Sequence, residues 1–208
     1  MSLTSPTETI VIEPRILYFG TPVVLLSTLN EDGSTNLSVL SSAWALGQRV
    51  VLGIGTQGQA LRNLERHPEC VINLPSADLW AAVERLAPTT GRAEVPEAKR
   101  VMNYRYEHDK FALAGFTRVA SEQVRPDRVL ECPLQLEGQV VALHPPAHAQ
   151  ADAFRIVEVE VHRVHAHPEV VQPGTHHVDI TRWQPLLYVF RHYFGTGAEL
   201  GRNFRADT

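Results

Sequence analysis

Between Pro22 and Leu74, apolar segments and turn signals follow one another so closely that an antiparallel β sheet is the architecture they allow. Val23 to Leu29 (VVLLSTL) is rich in β-branched residues, and Asn30 to Ser34 (NEDGS) carries the Asp-Gly punctuation of a hairpin. Gly47-Gln48 makes a second tight turn into Arg49 to Gly55 (RVVLGIG), a short, largely buried strand. Between these apolar strands lies the polar run Asn36 to Trp44 (NLSVLSSAW). Hydroxyl and amide groups in a central strand cost about 1–3 kcal/mol each unless they are partnered. Two readings follow. Either these side chains close the hairpin, bond local backbone or face solvent, or a polar ligand lies along the strand.

Thr56-Gln57-Gly58-Gln59 fits the capping box, a Thr or Ser followed three residues later by Glu or Gln, so a helix is expected from Thr56 to Arg66 with Leu61 and Leu64 facing inward. Arg49 to Gly55 then runs straight into a helix N-terminus, whose unpaired N–H groups and partial positive charge suit a phosphate or another anion. His67-Pro68 stops the helix. Glu69 to Leu74 (ECVINL) is the next strand, with Cys70, Ile72 and Leu74 on one face and Val71 and Asn73 on the other.

Further along, Pro75-Ser76-Ala77-Asp78 opens a second helix with Leu79, Val83 and Leu86 at helical spacing, closed by Ala87-Pro88. Thr89 to Asp109 reads as a loop with a short helix from about Pro96, its mixed charges forming a solvated face. Asp109 to Gly115 is a helix with Gly115 as C-cap, where Lys110 has the ordinary role of an exposed lysine open to it. Phe116 to Ser121, Leu134 to Leu143 and Phe154 to His165 supply further strands, with Pro133 at an edge or entry. Thr4 to Glu13 is an edge strand or arm. The aromatic and arginine-rich stretch from Trp183 to Phe204 is either core or a docking tail.

With 208 residues, one domain spanning 1–208 is the expectation, with an N-terminal arm (about 1–13) and a C-terminal docking tail (about 183–208). A formal charge of −4 offers no basic patch for nucleic acid. No apolar run is long enough to span a bilayer, and the N-terminus lacks the basic and apolar regions of a secretory signal, so a cytoplasmic location with no membrane contact is expected. Cys70 and Cys132 read as buried free thiols, with a redox pair as the alternative. Ten histidines raise the question of a metal. Strand alternation sets His165 and His167 apart from His162, and His176-His177 has no Cys, Asp or Glu at ligand spacing, so surface histidine is the better account.

The order PVVLLSTLNEDGSTNLSVLSSAW, VVLGIG, TQGQALRNL, ECVINLP resembles the flavin reductase-like, FMN-binding split-barrel family, closest to its flavoredoxin-like branch. DKFALAGFTRVAS, ECPLQLE and LLYVFRHYFG extend the resemblance over nearly the whole chain from about Pro14. It implies a mostly β fold with peripheral helices, an antiparallel split β-barrel, and FMN as cofactor. It further implies that Asn36, Ser38, Val39, Ser41, Ser42, Ala43 and Trp44 contact the ring and ribityl chain through hydroxyls and backbone amides. Thr56, Gln57 and Gln59 would take the phosphate. Lys110 and Phe111 would lie near a lid over the pocket. His192, Tyr193 and Phe194 would line the cofactor's outer face, in this chain or its neighbour, because proteins of this family are homodimers with the flavin near the subunit interface. This chain departs from the family at Ala60, where Thr is usual, and at Gly47-Gln48-Arg49, where many members carry Pro-Pro. It also lacks a Gly-Asp-His motif, of which Ala147-His148 is at best a remnant.

Flavin chemistry asks a protein to hold and tune the ring and to admit a donor and an acceptor, and it demands no catalytic residue of its own. The resemblance therefore leaves two functions open. One is an NAD(P)H-dependent FMN reductase. The other is an electron carrier that retains FMN and passes electrons to a redox protein partner, a reading favoured by the missing Gly-Asp-His. A pyridoxal-phosphate-oxidising or haem-handling relative would call for a more basic phosphate site or an axial ligand.

Overall fold

A computed structural model describes residues 9–147 and 153–202. Strand β1 (Phe19–Pro22) leads into β2 (Val24–Leu29), and the Asn30 to Ser34 turn returns the chain as β3 (Thr35–Leu40). In that turn Asp32 accepts hydrogen bonds from the backbone N–H and the hydroxyl of Ser34, at 2.9 and 2.6 Å. The second hairpin pairs β4 (Ala43–Leu46) with β5 (Arg49–Gly55) around Gly47-Gln48. Helix α1 (Gln59–Arg66) and β6 (Glu69–Leu74) follow. A 3₁₀ turn at Ala77–Leu79 then runs into α2 (Trp80–Leu86). Short elements come next: β7 (Thr89–Thr90), α3 (Glu97–Arg100), β8 (Arg105–Tyr106), α4 (Lys110–Ala114), β9 (Arg118–Val119) and β10 (Arg128–Val129). The long hairpin β11 (Leu134–His144) and β12 (Phe154–Ala166) precedes the terminal pair β13 (Leu187–Val189) and β14 (His192–Phe194).

Seven of these strands form one antiparallel sheet in the order β3-β2-β6-β11-β12-β5-β4. Its outermost strands, β3 and β4, are joined by Ser41 and Ser42 alone, a link whose extended reach is about 10 Å. The sheet must therefore curl until its edges approach, and it forms a half-barrel. Gly138 enables one bend. A Cβ there would lie 2.5 Å from Glu160 O, at the point where the β11–β12 register shifts.

Strand alternation sorts β2 into two cores, which explains its uninterrupted apolar run. Val24 and Leu26 face the barrel interior with Leu52, Ile54, Cys70, Ile72, Val157 and Val159, and Ala60, Leu61 and Leu64 of α1 plug that interior. Val23 and Leu25 face outward and are covered by Val83 and Leu86 of α2 and by Phe111 and Ala114 of α4. Asn73, fully buried on β6, ties the second core to the loop strands. Its amide donates to Leu25 O and Ser27 Oγ at 2.9 and 3.0 Å, and its oxygen accepts from Val129 N at 2.9 Å.

Several expectations need correction. The capping box does not form: α1 starts at Gln59, its N-cap is Gly58 and no side chain caps it, because Thr56 and Gln57 belong to the turn leaving β5. The strand expected over Phe116 to Ser121 shrinks to Arg118–Val119, paired with Arg128–Val129. Residues 9 to 13 carry no strand, and the rest of the Thr4 to Glu13 stretch lies outside the described residues, as does His148. Of the two places open to the C-terminal stretch, core and docking, Leu186 to Val189 take the first: β13 pairs with β1, and Leu186 is buried in the second core.

His165 is not a surface histidine. Its Nε2 lies 2.6 Å from a carboxylate oxygen of Glu137, which is completely buried. His167 follows β12 and lies 2.7 Å from Leu130 O. Among the described residues no three His, Cys, Asp or Glu side chains converge on a common point. Both cysteines are buried free thiols, and burial pushes the Cys70 thiol up to about 12, a value at which no reactive thiolate forms. No helix of the described residues is long and apolar enough to cross a membrane.

Candidate functional site

Because β3 is an edge of the sheet, the backbone groups on its outer side are not used by β2. One of them, Leu37 O, accepts a hydrogen bond from Lys110 Nζ at 2.7 Å. Beside this edge opens a cleft of about 430 Å³. Its walls come from Ser38 to Leu40, from the β5–α1 junction at Gly55 to Ala60, from Thr89 to Gly91, and from Lys99, Met102 and Tyr104. Among the described residues the charged side chains lining it are Lys99 and Lys110, with no carboxylate among them.

Lys110 is held there by a helix fixed at both ends. The Asp109 side chain accepts from Ala112 N at 3.1 Å, and Gly115 ends the helix in the left-handed region at φ 75°. The lysine is 3% exposed, so of its two readings, a residue near the pocket and an ordinary exposed lysine, the second does not hold. Burial pushes its ammonium down to about 7; the nearby charge of Lys99 acts in the same direction and Glu107 opposes both. Phe111, expected near a lid, is instead fully buried in the second core. Lys99 is also held below the ordinary lysine value, first by burial and then by Arg92. It lies 5.2 Å from the centre of the Tyr104 ring.

A buried amide network backs the cleft. Asn36, 1% exposed, donates to Ser38 Oγ at 3.1 Å, so the Ser38 hydroxyl hydrogen is left to donate elsewhere. Asn63 donates to Thr28 Oγ1 and Asn30 Oδ1 at 3.0 and 2.9 Å and accepts from Gln59 Nε2 at 2.8 Å. Asn36 and Ser38 of the polar run are therefore partnered within the protein, and Ser38 and Val39 also line the cleft.

The residues anticipated from sequence divide into three groups. Ser38, Val39, Thr56, Gln57, Gln59 and Lys110 line the cleft, and Asn36 stands directly behind it. Ser42, Ala43 and Trp44 line a different, mostly apolar groove of about 780 Å³ with Tyr18, Phe19 and Ile156. There Ser42 Oγ is 3.1 Å from the Tyr18 hydroxyl, and Trp44 is 58% exposed, not core. Ser41, between β3 and β4, lines neither space. His192 and Tyr193 also lie apart from both; the Tyr193 hydroxyl donates to Glu84 at 2.9 Å.

Sequence reading missed the far wall. Lys99 and Tyr104 sit in the mixed-charge run assigned to a solvated face, and Thr89, Thr90 and Gly91 were part of a loop. The available signal was Gly91, where a Cβ would lie 2.4 Å from Asn36 Oδ1 and 3.1 Å from two carbons of Gln59. Gly91→Ala is therefore expected to lower stability by about 1–3 kcal/mol through overpacking, a fall of several degrees in the thermal midpoint. An unchanged melting curve would show that this wall gives way freely.

A phosphorylated flavin needs cations and N–H donors for its phosphate, donors along the polar edge of its ring, and apolar cover. The cleft supplies Lys99, Lys110 and the uncapped start of α1, then the outer edge of β3 with Ser38, then Ile54, Leu86 and Met102. The residues present fit FMN.

A model of the flavin reductase like domain matches residues 16–197. The chain belongs to the flavin reductase-like family. Within this family of flavin-related oxidoreductases, an uncharacterised protein of Bacillus subtilis (strain 168), YdfE, is 45% identical over 197 residues, 95% of this chain and 94% of its own. Among solved structures, the flavoredoxin of Desulfovibrio vulgaris (Miyazaki F) superposes with a TM-score of 0.77 at 20% identity, covering 97% of this chain and all of its own. An FMN-binding domain of a flavin reductases-like enzyme from Shewanella baltica OS155 superposes at 0.68 with 16% identity, covering 88% of this chain and 90% of its own. Likeness at these identities establishes the split-barrel fold of the flavin reductase-like chain, and family membership supports flavin binding.

Proposed function

We propose that this chain binds FMN in the cleft beside β3 and acts as an NAD(P)H-dependent, flavin reductase-like oxidoreductase. The observation that carries the reading is the convergence of two lysines, with no carboxylate among the described residues, on a cleft bounded by an open strand edge and an uncapped helix start. When bound, FMN supplies hydride acceptance and onward electron transfer. The protein's part is positioning and electrostatics. Lys110, kept dry and tied to Leu37 O, places positive charge beside β3, where it favours an anionic ligand. Ser38, its oxygen already accepting from Asn36, is left to donate. Leu86 and Met102 add apolar surface to the cleft.

The chain works as a homodimer in this reading, with the flavin near the subunit interface. The apolar groove lined by exposed Phe19 and Trp44, with Leu46 also exposed nearby, supports such an interface. A cytoplasmic location accords with its two buried free thiols. The second reading, a flavoredoxin-like carrier that keeps FMN and hands electrons to a protein partner, is favoured by the absence of Gly-Asp-His from the sequence.

One experiment separates the two: FMN is added to the purified protein, and NADH and then NADPH are added anaerobically while the flavin absorbance is followed. Rapid bleaching by either nucleotide is expected and identifies the donor. Bound flavin that neither nucleotide bleaches would transfer the case to the carrier, and failure to bind FMN would remove both.

A further inference from the structure

The two lysines of the cleft stand in different places and are held differently. Lys110 is tethered to a backbone carbonyl of β3. Lys99, on α3, has its Nζ 3.9 Å from the point where a Cβ on Gly58 would stand, at the N-cap of α1. No carboxylate pairs with Lys99 among the described residues, and its contacts are the Tyr104 ring face and the neighbouring charge of Arg92. Two cations side by side, one of them largely desolvated, is an arrangement that folding alone disfavours. A second orphan marks the same corner: Arg92 Nε is buried and has no hydrogen-bond partner. The start of α1 adds a third deficit. Its first turn holds no acidic residue, Gly58 provides no side-chain cap, and the buried second residue, Ala60, carries no hydroxyl. Every uncompensated group at this corner is a donor or a positive charge.

We propose that Lys99 is the anchor for the flavin's terminal phosphate at the start of α1, supported by Arg92, and that it sets the preference of the cleft for FMN over riboflavin. The inference rests on the FMN reading above and adds to it the residue that recognises the phosphate. Lys110 serves the β3 side of the same cleft, so the two ammonium groups divide the ligand between them. Tyr104, beneath Lys99, holds the ammonium over its ring face and limits its swing out to solvent.

The test compares FMN and riboflavin binding, by quenching of flavin fluorescence, in the full chain and in Lys99→Ala, Lys99→Gln and Lys99→Arg, with melting curves for each. The unmodified protein is expected to bind FMN more tightly than riboflavin, and inorganic phosphate is expected to compete with FMN alone. Lys99→Ala and Lys99→Gln are expected to weaken FMN by roughly 10- to 100-fold, the size of one charge-assisted contact, and to leave riboflavin unchanged. Lys99→Arg is expected to restore most of the preference. Equal weakening of both flavins, or FMN binding unchanged in a folded Lys99→Gln protein, would overturn the assignment while leaving the FMN reading intact. Failure of the unmodified chain to bind either flavin would overturn both.

Discussion

Replacing Glu137 with alanine is expected to destabilise the fold by about 3–5 kcal/mol, the cost of removing one partner from a buried charged network. This carboxylate is completely buried in the middle of the sheet on β11, next to the bend at Gly138. It accepts from three consecutive backbone N–H groups, those of Glu122, Gln123 and Val124, at 3.0, 2.6 and 3.2 Å. His165 Nε2 at 2.6 Å and Arg128 Nε at 3.7 Å complete the shell. Alanine would leave all of these donors without their shared acceptor. A loss of this size is a large share of the total stability of an ordinary domain, about 5–15 kcal/mol.

Burial by itself would raise the pKa of Glu137, but the hydrogen bonds from Glu122, Gln123 and His165 outweigh burial and hold it below the ordinary carboxylate value. A carboxylate depressed in the folded state stabilises the protein at pH values above its unfolded pKa, and that contribution disappears as pH falls through the folded value. Urea denaturation at neutral pH and in steps down into the acid range should therefore show Glu137→Ala with a lower midpoint at neutral pH and a shallower acid loss than the parent. Glu137→Gln, which keeps the shape and one acceptor, should lie between them. A Glu137→Ala protein within 1 kcal/mol of the parent would mean that water reaches the donors. The effect should also extend to the cleft. The loop held by Glu137 carries Asp127, whose backbone N–H donates to Thr35 Oγ1 at 2.9 Å at the start of β3.

Lys110→Met is expected to have the largest effect on the ligand: FMN affinity falls by roughly 30- to 700-fold, the equivalent of about 2–4 kcal/mol for deleting one member of a buried charged contact. The same change should leave the ligand-free protein as stable as the parent or more so. The parent spends stability on keeping an ammonium group 3% exposed among apolar walls, and Met keeps the length without the charge. Because the pKa of Lys110 falls to about 7 in the folded protein from 10.5, the unfolded chain binds more protons throughout that interval. The stability of the ligand-free parent should then rise with pH between about 7 and 10.5, and Lys110→Met should lose that slope. Anion binding restores the charge, so FMN binding above pH 7 takes up a proton, which calorimetry in buffers of different ionisation enthalpy counts directly. No proton uptake, together with unchanged affinity in Lys110→Met, would place the lysine outside the binding event.

How much of this was legible in the chain differs from element to element. The β2–β3 and β4–β5 hairpins, β6, β11, β12 and the ends of α4 lie close to where alternation, Asp-Gly, Gly-Gln, Pro133, Asp109 and Gly115 put them, because these signals act over a few residues. The capping box failed at the same range because Thr56 and Gln57 still belong to the turn leaving β5. Tertiary placement then reversed several local expectations. His165 reads as a surface residue in sequence and Lys110 as either exposed or near the pocket, yet Lys110 donates to an edge carbonyl 73 residues away and His165 sits on a buried carboxylate 28 residues away.

By itself the sequence determined the strand alternation, the turns, the order of segments that marks the family, and the polar character of β3. Those properties depend on side-chain periodicity and on backbone preferences at Gly, Pro and Asp. Only the tertiary structure decided which of the polar residues share a space. Curling the sheet sends Ser38 and Ser42, four residues apart, to different grooves, while it brings Lys99 and Gly58, forty-one residues apart, to the same corner. Burial, and with it the charge state of Lys110 and of Glu137, depends on what packs across from each group. Local sequence does not encode that: the packing partner comes from a distant part of the chain and is known only once the sheet has closed.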